Sequence, residues 1–361
     1  MKKRDFLKSS LYAVGGLGLC SAVAASPHVT PKPVAGGGNN VLSAHQTKVN
    51  KREKALAVLD RSKPNKYVPA AFFMHFQDKL GQGAIDRHVE YFRATNMDFV
   101  KVQYEQTVPF LETIKKPEDW DKIPVYSETF FEPQLAVIEA LAKALKSEAL
   151  IIPTVYSPFM LAGQTVGKNV LTHARENPDA VAKGMQHITE SVLNYIHGAI
   201  KRGADGFYIS TQGGDVKNFG DTPLYDKLIL PFDTIVSQEA GNKATVNILH
   251  ICDYNSPYSQ IRKFTSYPGS IINPPIRLAD GSPVSTKEVQ QIFDRPVMGG
   301  LDRLGILAKG NPEEIKVEVD KVFADASPNF ILAADCTVPG EVPWQNLRAV
   351  IDYAHEWRTN H

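Results

Sequence analysis

Eight short apolar runs, several of them rich in β-branched residues, alternate with longer segments of helical period from Val68 to the end of the chain. This alternation is the strongest constraint on what the chain can fold into, because strands separated by helices pair in parallel. The runs are 68–74 (VPAAFFM), 98–103 (DFVKVQ), 149–154 (ALIIPT), 205–210 (DGFYIS), 246–250 (VNILH), 270–272 (SII), 296–299 (PVMG) and 330–334 (FILAA). Helical segments are expected near 84–95, 131–147, 177–202, 225–240, 256–264, 286–293, 311–325 and 343–357. Eight strands, each followed by a helix, predict an α/β chain folded as a single (β/α)8 TIM barrel. A doubly wound open sheet is the alternative. The sixth and seventh runs are short and flanked by Pro and Gly.

The clearest helix begins at Asn177-Pro178, a capping residue followed by Pro in the first helical position. Val181, Met185, Ile188, Val192 and Tyr195 then recur every three or four residues, and Gly203 ends the run. Asn311-Pro312-Glu313-Glu314 opens another helix in the same way, with acidic residues suited to the dipole at its start.

A formal net charge of +1 gives no electrostatic case for nucleic acid or an anionic membrane surface. The first eight residues are basic, a mostly apolar stretch runs from Leu11 to Ala25, and small residues stand at Ala22, Ala24 and Ala25. That pattern predicts an export signal over 1–25, too short for a transmembrane span. Lys3-Arg4-x-Phe6-Leu7-Lys8 is similar to a twin-arginine signal, which points to the periplasm. A general secretory signal is the alternative. Bulky Leu19 argues against lipid anchoring at Cys20. Residues 26–45 are expected to form a flexible linker rich in Pro, Gly and Asn. The folded domain is expected over 46–361, opening with a helical extension ahead of the first strand.

Two cysteines remain beyond the leader, Cys252 and Cys336, each just past an apolar run. His250 lies two residues before Cys252, and residues two apart in a strand share a face. In a barrel these three side chains gather where strand ends form ligand sites. Two thiolates and an imidazole suit Zn2+, with the fourth position left for chemistry. A Cys252–Cys336 disulfide and a pair of inert core thiols are the competing readings. Other polar residues at expected strand ends are His75, Gln77, Asp78, Gln103, Glu105, Tyr156, Gln212 and Asp302. Glu105 and Asp78 are the candidates for proton transfer or a fourth metal contact. His75, Gln77, Tyr156, Gln212 and Asp302 are the candidates for holding a small-molecule substrate.

Segments from 65 to 357 resemble the uroporphyrinogen decarboxylase superfamily. They include VPAAFFMHF (68–76), DFVKVQYE (98–105), YSPFMLA (156–162), GADGFYISTQGG (203–214), LHIC (249–252), VMGGLDR (297–303), GNPEEI (310–315) and ILAADCTVPGEVPWQNLRAVID (331–352). The resemblance implies a (β/α)8 barrel. Its zinc-dependent methyltransferase branch binds metal through an HxC pair and a later Cys, which fall here on His250, Cys252 and Cys336. That branch implies a zinc-activated thiol or other small nucleophile as methyl acceptor, and a corrinoid protein as partner. The decarboxylase branch carries an arginine-rich signature after its first strand, where this chain reads MHFQDKLG (74–81) with no arginine before Arg87. A polyanionic porphyrin would lack its cationic partners there. The expected function is thus methyltransferase-like. A lyase with altered substrate, using groups such as Asp78, and a non-catalytic barrel binding a tetrapyrrole, corrinoid or metal are the alternatives.

Overall fold

A computed structural model describes residues 50–63 and 65–360. The expected signal, linker and Cys20 lie outside them. Seven strands form one parallel sheet in which each pairs with its neighbours in sequence: β1 Phe99–Val102, β2 Leu150–Tyr156, β3 Gly206–Thr211, β4 Val246–Ile251, β5 Ile271–Asn273, β6 Val297–Leu301 and β7 Phe330–Ala334. Nearly every strand residue is buried, as a sheet covered on both faces requires.

The first expected strand, 68–74, forms isolated bridges instead: Ala70 pairs with Leu332 and Met74 with Val338. Leu332 N donates to Pro69 O at 2.9 Å, and Ala71 N donates to Leu332 O at 3.0 Å. On the other side Asp98 N donates to Ala70 O at 3.0 Å. The segment therefore lies between β7 and the residue that precedes β1. Two features keep it from being a regular strand. Pro69 has no N–H to give, and the Ala70 N–H goes to the Asp98 carboxylate at 2.8 Å.

Helices Gly81–Thr95, Glu132–Leu145, Pro178–Lys201, Thr286–Phe293, Pro312–Asp325 and Trp344–Asn360 fall where the apolar period places them. Asn177 accepts from Ala180 N, and Val181, Met185, Ile188, Val192 and Tyr195 all face the core. Two expectations are corrected. The helix expected over 225–240 is broken into Pro223–Leu228 and Leu230–Lys243, because Pro231 cannot bond back into the preceding turn. The helix expected over 256–264 is a single 3-10 turn, Arg262–Phe264. Backbone acceptors there serve other partners, since Pro257 O receives Val216 N and Tyr258 O receives Ala279 N. Pro158–Val166 and Asn169–Glu176 are helices that the sequence reading lacks. Among the described residues no helix is long and apolar enough to cross a membrane.

Close strand contact fixes Gly206. A Cβ built there would lie 1.6 Å from Val246 O, a backbone atom that cannot move aside. Gly206→Ala is expected to lower stability by about 3 kcal/mol or more through overpacking. Chemical denaturation of the two forms checks this; an unchanged midpoint would refute it.

Candidate metal centre

His250 and Cys252 leave the same face of β4 at its C-terminal end, and Cys336 stands two residues beyond β7. β5 and β6 separate these strands in the sheet, so only its curl brings the three side chains together. One His250 ring nitrogen and the two sulfurs lie within 4.8 Å of one another, and all three residues are buried. Both cysteines are free, with Cys252 Sγ 4.0 Å from Cys336 Sγ. A disulfide needs about 2.05 Å. Two sulfurs on one tetrahedral zinc, each at about 2.3 Å, would stand roughly 3.8 Å apart.

The imidazole fits the same reading. His250 is only 1% exposed, yet neither ring nitrogen makes a hydrogen bond. A buried polar atom left unpaired costs on the order of 1–3 kcal/mol, and a metal bond would satisfy one of these. The ring stacks on Tyr208 at 4.8 Å. Tyr208 is fixed in turn, its hydroxyl donating to Asn273 Oδ1 at 2.5 Å. Asn273 Nδ2 donates to Met298 O and Ala334 O, which ties β5 to β6 and β7.

Hydrogen bonding from Cys336 pulls the Cys252 thiol well below its ordinary pKa against the effect of burial, and His250 and Gln212 add to the pull. The same contact, with burial, pushes Cys336 up. Gln212 Nε2 donates to Cys252 Sγ at 3.1 Å. A charge-stabilising donor on a sulfur is the kind of outer contact that tunes a metal–thiolate bond.

These groups border a cavity of about 290 Å³ that His75, Lys101, Gln103, Tyr156, Tyr208 and Gln212 also line. Of the expected site residues, His250, Cys252, Cys336, His75, Tyr156 and Gln212 therefore converge on one space. Glu105 holds His75 Nδ1 at 2.6 Å and Lys79 Nζ at 3.2 Å beside it. Burial pushes the Glu105 carboxyl up, but bonding and charge from His75 and Lys79 more than offset this and leave it below the usual range. Gln77 and Asp78 are exposed and do not line the cavity. Asp302 also lies elsewhere. Its carboxylate accepts Leu304 N at 2.8 Å and Gly305 N at 2.9 Å, turning the loop after β6.

Lys101 is a charged cavity residue that the sequence reading passed over. It is 6% exposed in the middle of β1, with its ammonium over the Tyr208 ring at 4.8 Å and the Phe73 ring at 4.9 Å. It donates to Gln103 Oε1, and no carboxylate among the described residues pairs with it. Burial lowers its pKa to about 7, although the nearby thiols oppose this. A signal was present. Positions 101, 103 and 105 share a face by strand alternation, so Gln103 and Glu105 as candidates imply Lys101 as well.

The profile of the uroporphyrinogen decarboxylase (URO-D) family matches residues 94–357. The chain belongs to this family. A methyltransferase from Methanosarcina mazei has a similar fold, with a TM-score of 0.70 at 14% identity over 86% of this chain and 99% of that one. A putative vitamin-B12 independent methionine synthase from Listeria monocytogenes gives a TM-score of 0.49 at 13% identity, over 80% of this chain and 98% of that one. No curated protein matches the sequence.

Behind the site, Asp233 is fully buried under Thr211, whose carbonyl accepts Cys252 N at 3.1 Å. Thr211 Oγ1 and Tyr267 OH donate to its carboxylate, but burial outweighs both and raises its pKa to about 7. The folded chain thus binds this proton more tightly than the unfolded chain, whose carboxyl titrates near 4. The stability it contributes is full below about pH 4 and is lost as pH rises through about 7. Asp233→Asn is expected to flatten this part of the stability profile. Urea midpoints at pH 5 and pH 8 for both forms test it, and an equal slope in the two would refute it.

Proposed function

We propose that the chain is an exported zinc enzyme of the URO-D family that transfers a methyl group to a thiol or other small nucleophile. The observation that carries this reading is the His250, Cys252 and Cys336 donor set, with two free thiols 4.0 Å apart and an imidazole whose buried ring nitrogens have no hydrogen-bond partner. Three protein ligands leave one position for a substrate atom. When bound there, zinc would lower the pKa of a ligated thiol so that a thiolate is available near neutral pH.

The chain's own groups have definite parts in this scheme. Gln212 stabilises negative charge on Cys252 through its 3.1 Å bond. Tyr208 and Asn273 hold the His250 ring in one orientation. Lys101 supplies a positive charge inside an otherwise neutral or anionic cavity, which favours an anionic nucleophile. Tyr156 and His75 border the remaining space as substrate contacts, and Glu105 keeps His75 oriented. Its low pKa makes Glu105 a base or a charge partner rather than an acid at neutral pH.

Among the described residues no arginine lines the cavity, which supports methyl transfer over decarboxylation of a polyanionic tetrapyrrole. A corrinoid protein is the proposed methyl donor. The main-chain bonds that place 69–71 between β7 and Asp98 support reading the sheet as a closed eight-stranded barrel. The leader supports a periplasmic location, with the 26–45 linker ahead of the barrel domain. Folded export would allow zinc to be loaded in the cytoplasm.

Elemental analysis of the purified full chain is expected to find one equivalent of zinc, and Cys336→Ser to lose most of it while remaining folded. No metal in the wild type, or full zinc in the variant, would overturn the three-ligand centre. Sequencing the N-terminus of protein recovered from the periplasm should show the leader removed near Ala25. A protein that stays in the cytoplasm and starts at Met1 would refute export.

A further inference from the structure

Each metal-ligand cysteine has an aspartate beside it in the sequence: Asp253 follows Cys252 and Asp335 precedes Cys336. Arg303, two residues beyond β6, binds both. Its Nη1 donates to Asp335 Oδ2 and, at 3.2 Å, to Asp253 Oδ1, and its backbone N donates to Asp335 Oδ1 at 2.9 Å. The three side chains are 8%, 14% and 4% exposed for Arg303, Asp253 and Asp335. The guanidinium also lies 5.7 Å from the centre of the Tyr254 ring.

No ladder joins β4 to β7, since β5 and β6 stand between them. The end of β7 is tied to β6 through the backbone, with Asp335 N donating to Leu301 O at 3.0 Å. Arg303 extends that tie across the mouth to the residue after Cys252. Both carboxylates are held by the one nitrogen Nη1, whose two N–H bonds point to different acceptors, while the backbone N–H of Arg303 also binds Asp335. The guanidinium charge also offsets two carboxylates that would otherwise repel the neighbouring thiolates.

We propose that Arg303 is a positioning residue of the metal centre, clamping Asp253 and Asp335 so that Cys252 and Cys336 stay at ligand spacing and outside disulfide range. This rests on the metal reading above. The clamp touches no substrate and acts through the two backbones that carry the sulfurs.

The test uses the full chain with zinc, titrated against a competing chelator. Arg303→Met and Asp253→Ala are each expected to weaken zinc binding by about 10- to 100-fold, the usual effect of removing an outer contact. Arg303→Lys should fall between wild type and Arg303→Met, because it keeps the charge but reaches only one carboxylate well. Asp205→Asn is the control. It breaks the ion pairs that buried Asp205 makes with the more exposed Arg52 (2.7 Å) and Lys146 (3.1 Å) just before β3, so it should lower Tm without changing zinc affinity. If Arg303→Met does not fold, the more exposed Asp253→Ala carries the comparison.

A second readout needs no metal. In a glutathione buffer, metal-free Asp253→Ala should form the Cys252–Cys336 disulfide faster than wild type, with oxidised glutathione taking the two electrons. Unchanged zinc affinity and an unchanged disulfide rate in folded variants would overturn the clamp. Wild-type protein that binds no zinc would instead overturn the metal reading, and the disulfide rates would still decide whether Arg303 holds the thiols apart.

Discussion

Cys252 and Cys336 meet because a parallel sheet built in sequence order has to curl. Each strand pairs with the next, the native twist accumulates in one direction, and the helices that return the chain cover the outer face. The ends of β4 and β7 then face each other across the interior although no ladder joins them. Much of the remaining structure serves this meeting. Asn273 links the shortest strand, Ile271–Asn273, to both strands that follow it, and Arg303 spans from β6 to the end of β4.

Strand order, the HxC pair and its partner cysteine were legible because they depend on short-range rules. Apolar runs mark strands, and alternation puts His250 and Cys252 on one face. Readings failed where a distant partner decided the outcome. The Asp98 carboxylate takes the Ala70 N–H, so 68–74 bridges its neighbours without becoming a regular strand. Tyr258 O is claimed by Ala279 N, so the expected helix there shrinks to one turn. Asp302 and Arg303 are neighbours on the turn after β6 with different partners. The Asp302 carboxylate folds back on its own loop, while Arg303 points inward. Sequence cannot separate two such neighbours outside a regular strand, where no alternation holds.

The region around the sulfurs concentrates buried charge. Lys101 enters from β1 and Arg303 from the β6 loop, while Asp253 and Asp335 flank the thiols. Charges buried in this way are costly unless they are paired or serve a ligand. Arg303 is paired. Lys101 rests on two aromatic faces and one amide oxygen, which leaves donor capacity facing the cavity, since an ammonium carries three N–H bonds. The fold therefore holds this cation in a poorly solvated position that a ligand can complete.

If methyl transfer proceeds as proposed, the size of the cavity limits how the two reactants come together. At about 290 Å³ it is near the lower end for a small-ligand site. A nucleophile of a few heavy atoms can sit wholly inside, next to the sulfurs. In that scheme a corrinoid macrocycle would present one reactive edge at the opening. Selection would then differ for the two reactants: fit to the interior would choose the first, and the contour of the rim, where Tyr254 is 64% exposed, would choose the second.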